Sequence, residues 1–225
     1  MTLRHRGFLS APAGMLVLAL VASAGAAPSG QPIRVGGTLS MTGPLAATSL
    51  IHQIVGEIYV DQLNKKNGLL GRPVEWVLYD DQSKPDLART LYEKLITVDK
   101  VDLLIGPYAT GNILSAMAVA QRYEKMLVHH SFGIPRLAKY DMQFSMWAIG
   151  PEPERTFPSR LLDALAASGK PPKTIAIVTS KFPSVLFMSV GAREVAAKRG
   201  LREGLYLEFE FGNRDFGAIA ARVRD

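Results

Sequence analysis

Short apolar runs of strand type lie at residues 33–39, 74–79, 101–105, 126–130, 145–149, 174–179 and 205–211, and they alternate with stretches whose apolar residues recur at helical spacing. A strand that reaches a parallel neighbour through a helix does so by a right-handed crossover. The alternation therefore predicts an α/β fold with mostly parallel sheets and helices on both faces. It lapses into an irregular polar stretch near 135–150 and then restarts, which places a boundary between two halves there. The halves share a βαβ style without a sequence repeat.

The helical stretches carry their own punctuation. The first has Ile51, Ile54, Val55, Ile58 and Leu63 on one face, Lys65-Lys66 at its end and Asn67-Gly68 as a stop. Ser83 reads as the N-cap of the second, with Pro85 just inside and Leu87, Leu91 and Leu95 repeating every fourth residue. Further helices are expected at 112–124, near 157–168 and at 185–199, the last closed by Gly200, and Asp215 caps a final one.

The stretch VDLLIGPYATGNILS, residues 101–115, concentrates the functional interest. A buried strand enters a turn at Gly106-Pro107 and then a helix opening near Gly111-Asn112. Such a turn puts free backbone N–H groups and a helix dipole at the carboxyl edge of a sheet, where α/β folds bind ligands. With the Thr110 hydroxyl, the group suits a carboxylate or another anion. The plain alternative is an ordinary βα turn.

Composition narrows the function classes. Of 225 residues, 48% are hydrophobic and 20% charged, enough for one large domain or two small ones. There is no cysteine, which removes disulfides, thiolate metal sites, thiol catalysis and a lipid-modified N-terminal Cys. Arg4 and Arg6, the apolar core MLVLALV at 15–21 and the small-residue sites Ala22-Ser23-Ala24 and Ala24-Gly25-Ala26 read as a cleavable signal peptide over residues 1–26. The net charge of +6 includes both leader arginines, and the remaining charges are scattered rather than patched, so no nucleic-acid site is expected.

Enzyme signatures are missing. The chain has no G-x-G-x-x-G, P-loop, H-E-x-x-H or G-x-S-x-G. Asp215-Phe216-Gly217 spells the kinase metal triplet but follows no catalytic loop. His129-His130 point to opposite faces of a strand and make a poor metal site. Asp80-Asp81 sit at a strand end before a helix and are expected to hold the turn. The expectation is no catalytic residue, no metal and no cofactor.

Four motifs then carry a resemblance: GGTLSMTGP at 36–44, NGLLGRPVE at 67–75, YDDQS at 79–83, and Ile105-Gly106-Pro107 with its hydroxyl loop. In this order, behind a leader, they resemble the type I periplasmic substrate-binding proteins of ABC transporters, in the leucine/isoleucine/valine-binding branch. The likeness covers about residues 33–225 and is looser in the second half. It implies two Rossmann-like lobes, the first at 27–140 and the second at 141–225, closing on a small solute. That solute would be an amino acid or related carboxylate, delivered to a membrane permease by a monomeric periplasmic protein without a lipid anchor.

Matched by motif, the resemblance puts the carboxylate-binding hydroxyl on Thr110, with Tyr108 and Ala109 beside it. It adds Ser131, Phe132 and Gly133 from the loop after the fourth strand, Thr48 from the first helix, and Phe182 and Ser184 from the second lobe. His129-His130 and Phe132 stand where relatives usually have small residues, which implies a different side-chain pocket. Relatives are also longer, so the second lobe is expected to be incomplete, with the acidic partner of a ligand ammonium beyond residue 225. A ligand-sensing module on the same fold, or a non-functional fragment, are the alternatives.

Overall fold

The computed structural model describes residues 27–224. The leader expected at 1–26 lies outside the described residues. No helix among the described residues is long and apolar enough to cross a membrane.

Five parallel strands form the first sheet: β1 (Ile33–Leu39), β2 (Val74–Asp80), β3 (Leu103–Ile105), β4 (Leu127–His129) and β5 (Gln143–Ser145). Their order is β2-β1-β3-β4-β5. Helices α1 (Ala46–Lys65), α2 (Pro85–Thr97) and α3 (Thr110–Arg122) connect the first four. The order reverses between β1 and β3, which opens a crevice at their carboxyl ends. A short 3-10 turn, Pro135–Leu137, interrupts the chain before β5.

The rest holds α4 (Pro153–Ala167), β6 (Thr174–Ser180), α5 (Pro183–Lys198), β7 (Arg202–Phe209) and α6 (Gly217–Arg224). β6 and β7 pair in parallel as a separate two-stranded sheet. α4 packs on α5 at Gly191, where a Cβ would lie 2.3 Å from the Glu154 carbonyl oxygen, so only glycine admits the approach. The Asp215 carboxylate accepts the Gly217 N–H at 3.0 Å, the expected cap of the last helix.

The core lies on the α2/α3 side of the first sheet. Tyr92, Leu95, Ile113, Ala116, Leu127 and Phe132 are buried there together. Tyr92 is wholly buried and its hydroxyl donates to the Ile105 carbonyl.

Several local expectations shift. β5 lies at Gln143–Ser145, ahead of the expected 145–149, because it pairs with Leu127–His129 in register. α3 begins at Thr110 rather than 112. Ser83 does not cap α2: its φ is +62°, its hydroxyl donates to the Thr42 carbonyl at 2.9 Å, and Lys84 takes the cap position before Pro85. The first helix forms, yet its apolar face is not sealed. Ile51 is 62% and Val55 61% exposed, and a cavity of about 660 Å³ is lined by residues of α1, β1 and β2. The Trp76 indole fills the space over Gly56, where a Cβ would lie 2.3 Å from its ring.

Candidate functional site

Loops at the carboxyl ends of β1, β2, β3 and β4 form the floor of the crevice. Asp81 fixes two of them. Its buried carboxylate accepts from the Thr38 hydroxyl at 2.7 Å, the Ser40 hydroxyl at 2.6 Å and the Ser83 N–H at 3.0 Å. Asp80 accepts from the Met41 N–H at 2.9 Å, the Thr42 hydroxyl at 2.7 Å and the Gln82 N–H at 2.8 Å. Burial pushes the Asp80 carboxyl up, but the Thr42 hydroxyl and the Gln82, Thr42 and Met41 amides outweigh it and hold it below the usual range. Both acids hold the turns, as expected from their position.

The next two loops are tied by their hydroxyls. The Gly133 N–H donates to Thr110 Oγ1 at 2.9 Å, and the Ala109 N–H donates to Ser131 Oγ at 3.0 Å. Each hydroxyl oxygen thus accepts from backbone, and neither donates to another group among the described residues. A hydroxyl has one proton to give, so both are poised as donors. They flank the start of α3, whose first intrahelical bond comes from the Ile113 N–H, leaving the N–H groups of Thr110, Gly111 and Asn112 unpaired within the helix. Ala109, the N-cap, sits at φ +76° and ψ +146°, a region that strains a residue with a Cβ. Two hydroxyl donors beside a helix N-terminus make an arrangement suited to a carboxylate.

Three rings stand next to these donors. His52 on α1 lies 5.0 Å from the Tyr108 ring and 4.5 Å from the His130 ring, centroid to centroid. His52 Nδ1 donates to the Thr48 carbonyl at 3.0 Å, which orients the ring. Burial pushes the His130 imidazole down to about 4, with help from the charges of His52 and His129, so it is neutral at pH 7. Its Nε2 is buried without a hydrogen-bond partner. His129 points the other way, bonds Gln143 Oε1 through Nε2 at 2.6 Å and meets the Phe132 ring edge-on at 5.4 Å. His52 and His130 mark the polar end of the cavity under α1, whose walls include Ile51, Val55, Trp76 and Ile105.

The expected site residues divide. Tyr108, Ala109, Thr110, Ser131 and Gly133 come together. Ser184 joins them from α5, because a Cβ on Gly133 would lie 2.7 Å from the Ser184 Cβ. Phe132 does not: it is 2% exposed and belongs to the core, since the loop after β4 turns its ring into the cluster with Ile113 and Leu127. Phe182 stacks on Phe211 at 4.6 Å. Thr48 reaches the site only through its carbonyl bond to His52. Sequence reasoning flagged His130 only as a departure in the pocket loop, and missed His52 and Asn112, whose buried Nδ2 has no partner. The phase of Ile51 and Val55 along α1 was the only signal for His52. Among the described residues no group of three or more His, Asp or Glu could hold a metal ion.

The model of a family described as "Periplasmic binding protein" matches residues 32–225. The Leu/Ile/Val-binding protein BraC3 of Rhizobium johnstonii is 24% identical over 210 residues, covering 93% of this chain and 56% of the relative. The substrate-binding protein LivJ of Streptococcus pneumoniae, solved with isoleucine, superposes with a TM-score of 0.72 at 22% identity over 86% of this chain and 54% of its own. A Rhodopseudomonas palustris solute-binding protein, solved with benzoate, gives 0.72 at 22% identity over 86% of this chain and 52% of its own. The chain spans about half the length of the relatives it matches. At these identities the structural likeness establishes the fold.

Proposed function

The chain belongs to the periplasmic binding protein family, and from that premise we propose that it serves as the solute-capturing component of an ABC transporter. The solute is an amino acid or another small carboxylate. It is held between a first lobe built on the five-stranded sheet, which extends past the expected boundary at 140 to include β5, and a second lobe that carries β6 and β7, and is delivered to a membrane permease. The reading includes export to the periplasm by the leader at 1–26 and action as a monomer.

One observation carries it: the Thr110 and Ser131 hydroxyls both accept backbone N–H groups and keep their own protons for a ligand, beside the unpaired N–H groups opening α3. An anionic oxygen there gains charge-assisted hydrogen bonds without any rearrangement of the loops. Tyr108, Ala109, Gly133 and Ser184 shape the seat. The neighbouring contact between Gly133 and Ser184 offers a route by which filling the first lobe acts on the second.

Calorimetry with paired ligands tests this. A carboxylate such as isoleucine or benzoate binds, and the matching amide binds at least tenfold more weakly, as expected for loss of bonds to a charged group. Equal binding of acid and amide, or no binding of any carboxylate, overturns the reading.

A further inference from the structure

Tyr108, His52 and His130 converge from the loop after β3, from α1 and from the loop after β4 into a wall of three rings with centroids 5.0 and 4.5 Å apart. Tyr108 stands two residues before Thr110, and His130 directly precedes Ser131. The loops that present the hydroxyl donors therefore also present the rings. We propose that this ring wall is the side-chain pocket of the site and selects a carboxylate with a planar aromatic body over an aliphatic amino acid. The inference rests on carboxylate capture by Thr110 and Ser131.

Two features favour an aromatic body. The rings are tilted 43° to one another, an arrangement that accepts a further ring by edge or offset contact rather than closing on itself. They also lead into the cavity of about 660 Å³ under α1, whose walls include Ile51, Val55, Trp76 and Ile105. That space takes an uncharged planar group and gives nothing to a polar one.

Benzoate and cyclohexanecarboxylate separate the ring effect from the carboxylate effect, because they share the acid group and differ in the π face. In calorimetry on the full chain, benzoate binds about tenfold more tightly than cyclohexanecarboxylate, the preference expected from two aromatic contacts, and more tightly than leucine. Tyr108→Leu and His52→Leu bring benzoate and cyclohexanecarboxylate to within about threefold of each other, the loss of one aromatic contact each. Tyr108→Phe keeps the ring and keeps the preference. Thr110→Ala weakens both acids alike and leaves their ratio unchanged. Equal affinities for the two acids in the unaltered chain, or tighter binding of leucine than of benzoate, overturn the ring-wall assignment while carboxylate capture stands. Absence of binding by all three overturns the capture reading itself.

Discussion

Thr110 and Ser131 do two jobs with one oxygen each, tying a loop through the lone pair and offering a proton outward. Thr110→Ala is expected to weaken carboxylate binding by about 1–3 kcal/mol, the range for a buried bond to a charged group. Unchanged affinity in calorimetry removes Thr110 from the site. Gly133 has no room to grow: a Cβ would press on Ser184 at 2.7 Å and disturb the bond to Thr110. Gly133→Ala is expected to lower stability by about 1–3 kcal/mol through overpacking, read as a reduced urea midpoint. His130 predicts a pH response. Buried beside His52 and His129, it stays neutral in the fold down to about 4, whereas the unfolded chain takes up that proton near 6.5. The unfolded state then binds more protons between those values, so stability is full above 6.5 and falls as pH drops from 6.5 toward 4. His130→Phe flattens that slope, and a melting temperature equally steep in both proteins contradicts the assignment. The Thr110 hydroxyl was legible because a strand, a Gly-Pro turn and a helix start announce themselves locally, whereas Ser131 came only through the resemblance. Phe132 was not, because one residue of phase in the loop decides between core and crevice, and the pairing of His52 with His130 joins residues 78 positions apart.

The turns after β1 and β2 behave as one element. A single buried carboxylate, Asp81, takes two hydroxyls and an amide from both turns. Asp81→Ala strands the Thr38 and Ser40 hydroxyls and is expected to cost about 3 kcal/mol or more, from two bonds to a charged group. A chemical denaturation midpoint unchanged by the substitution would show that water replaces the carboxylate. The helices show where periodicity informs and where it misleads. A repeat of every fourth leucine drifts around a helix of 3.6 residues per turn. In α2 the buried line accordingly runs through Ala88, Tyr92 and Leu95, with Leu87 and Leu91 to one side. α1 was read correctly as a helix, but helical spacing says only which residues share a face, not what covers it. Ser83 failed as a cap because its positive φ turns its hydroxyl back to Thr42.

Across the molecule, the alternation of strands and helices was enough for a parallel α/β fold, since crossover handedness leaves few other topologies. The break near 135–150 announced that the later strands form a separate sheet, but the strand order and the pairing of β5 with β4 were not readable, because they depend on pairings between distant segments. The carboxyl edge follows from that order, and the capture of a carboxylate there follows from the donors it gathers. Thermal melting with and without ligand tests that capture directly, because a solute that binds the native state raises its melting temperature. The full chain should melt cooperatively and shift upward with millimolar benzoate or isoleucine, far less with benzamide or isoleucinamide, and the shift should shrink in Thr110→Ala. A melting temperature indifferent to every carboxylate, or raised equally by acids and their amides, would contradict carboxylate capture at this edge.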